Sequence, residues 1–188
     1  MGTDLNMRIL IRIMTAVLPV ASWRKRTRDA LQSWLAIVPH RIRGARFDGR
    51  FVLHESLHAT KFCRFADDVH VNSLHVEGVG ELTGGAHTHF GREVLIITSS
   101  HDYRGEKLPY GNGHIVKPVR IGECVWIGDR VTILPGSDIG DGVIVQAGAV
   151  VHGKIPALSI VGGNPAVPFA ARDPDHYNEL RQKGAYKK

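Results

Sequence analysis

Every sixth residue from position 115 is a β-branched aliphatic: Ile115, Ile121, Ile127, Ile133, Ile139, Val145 and Val151. A second row follows four places behind it: Val119, Val125, Val131, Ser137, Val143, Ala149 and Ile155. Between the rows stand turn-forming pairs such as Pro135-Gly136, Asp141-Gly142 and Ala147-Gly148. An α-helix drifts out of phase with a six-residue period, and an ordinary hairpin sheet needs longer strands. The arrangement that satisfies the period is a coil of short strands with sharp corners, each coil burying its aliphatic row on the next. The chain is therefore predicted to be all-β, with a parallel β-helix across residues 115–156.

The period extends upstream in a less regular form. Val76, Leu82, Thr88 and Val94 are spaced by six, with Phe90 and Ile96 as their partner row. Between Ile96 and Ile115 the phase slips by one residue. Counting Ile96 to His101 as one unit leaves residues 102–114, DYRGEKLPYGNGH, as an insertion rich in Gly and polar groups. Long loops on a rigid scaffold commonly carry function. The predicted organisation is a helical segment at 1–45, the β-helix at 46–170 and a short C-terminal helix and tail at 171–188. Asp173 is placed to cap that last helix.

The charge is unevenly placed. Residues 1–50 carry ten Lys/Arg and three Asp/Glu, a net of +7; the other 138 residues carry fourteen and fifteen, a net of −1. A basic nucleic-acid groove across the main body is thereby disfavoured, and no nucleic-acid partner is expected. Two short helices are read before residue 40, broken near Pro19. The second, 22–37, has Ser22 as its cap and Leu31, Trp34 and Leu35 at helical spacing. The simpler reading packs both against the end of the β-helix. The sharper one lays them on a membrane surface, with Arg24, Lys25, Arg26 and Arg28 facing lipid phosphates. The apolar run Met7–Val20 contains Arg8, Arg12 and Pro19, and is too short and too charged to span a bilayer. Cys63 and Cys124 form no CxxC pair, which argues against a disulfide framework or a Cys-rich zinc site and fits a cytoplasmic setting.

Four segments add a more specific signal: TSSHDY at 98–103, VWIGDRVTILPG at 125–136, DIGDGVIVQAGAVV at 138–151 and VGGNPA at 161–166. In this order they resemble the hexapeptide-repeat acyltransferases, whose fold is a left-handed parallel β-helix. The resemblance covers roughly residues 69–175. It is strongest to the branch of galactoside, maltose and polysaccharide O-acetyltransferases and xenobiotic acetyltransferases. It implies a homotrimer that holds acetyl-CoA, the acyl donor, in clefts between neighbouring copies. It also implies a carbohydrate acceptor and no metal.

The same resemblance implies the site. His101 matches the loop histidine that deprotonates the acceptor, a task suited to an imidazole titrating near pH 6.5. The turn at Gly128 and Asp129 matches the source of a backbone N–H for the oxyanion. Trp126 matches a tryptophan beside the cleft, and Ala147 a small residue whose backbone lines the pantetheine groove. His152, Gly153 and Lys154 stand where relatives often have Thr-Lys-Asp, so their part in binding coenzyme A phosphates rests on the nearby cation. Asn164 belongs to the motif that ends the β-helix, and Arg172 is a candidate phosphate contact. Asn72, Asp102 and Tyr103 are the candidates for acceptor binding.

The function so implied is transfer of an acetyl group to a sugar hydroxyl of a surface glycan or its precursor, in the cytoplasm or at the inner membrane face. Transfer to an amino sugar or an antibiotic-type amine is the alternative. Two readings from other classes compete with it. A zinc-dependent, carbonic-anhydrase-like β-helix would draw on His70, His75, His87 and His89. A non-catalytic solenoid would serve as an assembly surface.

Overall fold

The computed structural model describes residues 21–187, with side chains from residue 28 onward. The first of the two expected helices and the break at Pro19 lie outside the described residues. From Arg46 the chain winds as a parallel β-solenoid with three strands per coil. Wall one stacks six rungs: Arg46–Phe47, Cys63–Phe65, Leu82–Gly84, Val119–Ile121, Asp138–Ile139 and Lys154–Ile155. Wall two contains His89–Phe90, Trp126–Ile127, Ile144–Val145 and Ser159–Gly162. Wall three contains Val94–Ile97, Thr132–Ile133 and Val150–Val151. The longer strands Phe51–His58 and Val69–Glu77 run through both walls two and three.

Register explains the six-residue period. Ile121 lies over Ile139, Ile127 over Val145 and Ile133 over Val151, each pair one coil apart. All six are buried, as are Val119, Val125, Val131, Val143 and Ala149 in the second row. Ser137 occupies that row without an apolar side chain; its hydroxyl donates to Leu134 O at 2.7 Å and so is satisfied. Upstream, Leu82, Thr88 and Val94 fill the same inward row, and Thr88 donates to Gly122 O at 3.1 Å.

Ile115 is not part of the wall, contrary to the expectation from periodicity. It sits in His114–Val116, which pairs antiparallel with Ser99–His101 as a separate two-stranded hairpin. The regular wall resumes at Val119. The inserted segment is therefore a hairpin with paired arms, and it leaves the solenoid at the corner between walls three and one. Lys117 N–H donates to Thr98 O at 3.1 Å and closes its base.

Helix α1, Ala21–Ile42, runs through Pro39 and packs on the strand Phe51–His58. Its buried face is Ser33, Ile37 and His40, whereas Leu31 and Leu35 are only half-buried and Trp34 is 54% exposed. The polar members are bonded. Leu53 N–H donates to Ser33 Oγ at 3.0 Å, and His40 Nδ1 lies 3.2 Å from Ala59 O. Beneath the helix, Phe47, Phe51 and Phe65 pack ring on ring at 4.8–5.4 Å and close that end of the core. At the other end, Val167–Ala171 runs antiparallel to Ser159–Gly162. Helix α2, Pro174–Gln182, follows, and the Asp173 carboxylate accepts from the N–H groups of Asp175 and His176. No helix among the described residues is long and apolar enough to cross a membrane.

Ile133 stands between Ile96 and Val151 in the buried stack. Ile133→Ala should lower stability by about 2–5 kcal/mol, read as a lower urea midpoint at unchanged slope.

Candidate active site

The three corners of the solenoid distribute the candidate residues. The corner between walls two and three carries Asn72 and, two coils further on, Gly128 and Asp129, followed on the next coils by Ala147 and Asn164. Backbone bonds tie this edge together: Gly148 N–H donates to Asp129 O at 2.8 Å, and Val150 N–H to Gly163 O at 2.9 Å. Asp129 Oδ1 accepts from Arg92 N–H at 2.8 Å, which fixes the turn below. Gly128 is required where it stands. A Cβ there would lie 2.6 Å from Ala147 N and 2.9 Å from Ala147 Cα, so the two corners meet backbone on backbone.

The Gly128 N–H donates to Val145 O at 2.8 Å within the ladder. It is therefore not a free donor, and of the two N–H groups expected at that turn only that of Asp129 could serve an oxyanion. A groove of about 430 Å³ opens here, lined by Arg92, Glu93, Asp129, Arg130, Ala147 and Gly148.

A larger cavity of about 1490 Å³ lies against wall two, between α1 and α2. Asn72, Trp126, Asp129 and Arg172 all line it. Trp126 points outward from its rung and is 56% exposed. Arg172 is anchored at the corner between walls one and two, where its Nε donates to Gly142 O at 2.7 Å. The structure thus gathers four residues that sequence reasoning named separately.

His70, His87 and His89, considered above only for zinc, line this cavity, and sequence reasoning missed the Asp68 that joins two of them. Asp68 is buried, and its two oxygens lie 3.1 Å from His70 Nε2 and 3.1 Å from His87 Nδ1, with Arg50 Nη1 at 2.9 Å from Oδ1. Burial alone would raise the Asp68 carboxyl, but hydrogen bonds from His87 and His70 and the Arg50 charge outweigh it and hold it below the ordinary value. The His70 and His89 rings stack at 4.3 Å. Burial, and then the adjacent His70, lower His89 to about 4, so it is a neutral imidazole at pH 7. The His-rich stretch 70–89 was the available signal, but it gave no hint that Asp68 joins two of its members.

His101 lies elsewhere. It ends the hairpin strand Ser99–His101, exposed, at the corner between walls three and one. His152 and Gly153 share that edge, and Lys154 points outward from wall one. The Asp102 carboxylate accepts from Arg104 N–H at 2.9 Å and so serves the loop. Tyr103 is exposed, with the Arg104 guanidinium 5.4 Å from its ring centre. Within one chain, then, His101 and the edge bearing Asp129 and Ala147 stand at opposite margins of wall three.

Of the histidines considered for zinc, His70, His87 and His89 gather around Asp68, and His75 stands apart. His75 is on wall three, against His58 and Glu77, while His70 is on wall two and bound to Asp68. No group of three His, Cys, Asp or Glu side chains among the described residues is arranged to hold a metal.

Residues 118–153 match the family model described as bacterial transferase hexapeptide (six repeats). A protein of Escherichia coli K12 named as a colanic acid biosynthesis acetyltransferase, WcaF, is 31% identical over 152 residues, 77% of this chain and 78% of its own length. The chain belongs to the hexapeptide-repeat acetyltransferase family. Its fold is that family's left-handed β-helix, and its activity is acyl transfer. A second Escherichia coli K12 relative, WbbJ, named as a lipopolysaccharide biosynthesis O-acetyl transferase, is 35% identical over 111 residues. That match spans 54% of this chain and 57% of WbbJ. Among solved structures, a Vibrio cholerae hexapeptide-repeat acetyltransferase in complex with acetyl-CoA is 30% identical, with a TM-score of 0.56. The alignment covers 65% of this chain and 72% of that one.

The low His89 value gives a pH prediction. An unfolded imidazole binds a proton below about 6.5, whereas this one stays neutral down to about 4. Stability should therefore fall as pH drops through that window, because the unfolded state takes up more protons. His89→Gln should show a shallower fall, measured as unfolding temperature between pH 7 and pH 4.

Proposed function

We propose that this acetyltransferase moves an acetyl group from acetyl-CoA to a hydroxyl of a sugar in a surface glycan or its precursor, with His101 as general base. The separation of His101 from the edge bearing Asp129 and Ala147 carries the reading further. Six residues at ~3.3 Å each make a wall roughly 15–20 Å wide, too far for one chain to bring base and groove together. The active unit is then a homotrimer, in which His101 of one copy meets the Trp126, Asp129 and Ala147 edge of the next. The acetyl-CoA in the Vibrio cholerae relative supports the donor, and the names of WcaF and WbbJ support a surface-glycan acceptor.

The chemistry follows from the groups. A sugar hydroxyl attacks the thioester carbonyl as His101 takes its proton. The tetrahedral oxyanion is met by a backbone N–H at the Asp129 turn. Collapse breaks the C–S bond, and the imidazolium returns its proton to the departing sulfur. No acyl-enzyme is required, and neither cysteine suits one: burial pushes both the Cys63 and the Cys124 thiols up.

Release of free coenzyme A across a panel of neutral sugars, amino sugars and acidic oligosaccharides tests acceptor class and decides between O- and N-transfer. On the best acceptor, His101→Ala should lose at least about 100-fold in kcat, while acetyl-CoA still raises the unfolding temperature. Near-normal turnover would remove His101 from the reaction. Mixing inactive His101→Ala with inactive Ala147→Trp subunits, after partial denaturation and reassembly, should restore a fraction of activity. No recovery from mixed trimers would show that base and groove belong to one chain.

A further inference from the structure

An exposed histidine on a loop needs something to hold its ring if it is to serve as a base. The common device is a carboxylate bonded to the far nitrogen. Here the adjacent carboxylate, Asp102, is committed to Arg104 N–H. What lies on His101 instead is Tyr110, its ring centre at 3.8 Å and its plane within 8°. His114, the cross-strand partner of His101, stands at 5.2 Å with its ring tilted by 32°.

The hairpin loop is built so that Tyr110 arrives there. Asp102 O accepts from Gly111 N–H at 2.8 Å and from Gly105 N–H at 3.3 Å, which draws the loop back over its own base. The two glycines make this possible: a Cβ on Gly105 would lie 2.6 Å from Gly111 Cα. Tyr110 immediately precedes the pinch and is delivered onto the face of His101.

We propose that Tyr110 is the positioning residue for His101, holding the imidazole by face-to-face stacking while neither ring nitrogen is engaged by a hydrogen bond among the described residues. The stack restricts rotation about χ2, which otherwise would sweep the reactive nitrogen through a wide arc. A phenol face also accommodates the imidazolium formed when the proton is taken. The proposal rests on His101 being the base, but the stack itself is testable without that assumption.

Two readouts separate the possibilities. In the full-length protein, the His101 ring-proton resonance, assigned by its loss in His101→Ala, should lie upfield in wild type and in Tyr110→Phe. In Tyr110→Leu it should move downfield; an unchanged resonance would overturn the stack. On the most active sugar of the acceptor panel, Tyr110→Leu should lower kcat about tenfold with KM for acetyl-CoA unchanged, and Tyr110→Phe should restore it. Wild-type kcat in Tyr110→Leu, with His101→Ala inactive, would overturn the positioning role alone. Wild-type kcat in His101→Ala would instead overturn the base assignment beneath it.

Discussion

The stacking of one aliphatic row on the next is what the remainder of this structure depends on. Each coil is too small to bury its own side chains, and Ile133 is enclosed because Ile96 lies one coil below and Val151 one coil above. The corners follow from that requirement. Rungs of two to four residues must turn sharply to keep the rows aligned, and the turning residues are thereby set out as three columns along the outside. All three columns carry the acetyltransferase's candidate groups, the one between walls one and two through Arg172. The groove at Asp129 and Ala147 is defined by how closely Gly128 lets one coil approach the next.

Most of the wall was legible because its period belongs to it alone. Ile121 to Val151 are inward-facing as spacing predicts, and even the two polar exceptions, Thr88 and Ser137, bond to nearby carbonyls. Ile115 deceived for the opposite reason. An alternating hairpin arm places an aliphatic residue at the expected interval without being part of the stack, and only pairing partners distinguish the two. The α1 face was misread similarly: Leu31, Trp34 and Leu35 are the apolar choice, yet Ser33, Ile37 and His40 are buried, Ser33 bonding the strand beneath at Leu53 and His40 meeting Ala59 just past its end.

The site was legible residue by residue but not as an arrangement. The interruption in the repeat pointed to His101, and motif order pointed to Trp126, Asp129 and Ala147. Neither carries information about which corner each occupies, since that depends on counting coils through an insertion of unknown pairing. The Asp68 cluster escaped for a related reason. Asp68 and His87 are 19 residues apart, about one coil, and a carboxylate placed beneath a histidine by that interval has no local sequence signature.

A stack held together by rung-on-rung pairing has no intrinsic length, because its last rung presents the same unpaired N–H and C=O groups as any earlier one. The reversal of Val167–Ala171 against Ser159–Gly162 changes that at wall two. A strand running the other way cannot serve as a template for another coil in register, and the α1 helix, above Phe47, Phe51 and Phe65, covers the opposite end. These two elements thus act as chain terminators for a fold that could otherwise add copies of itself end to end.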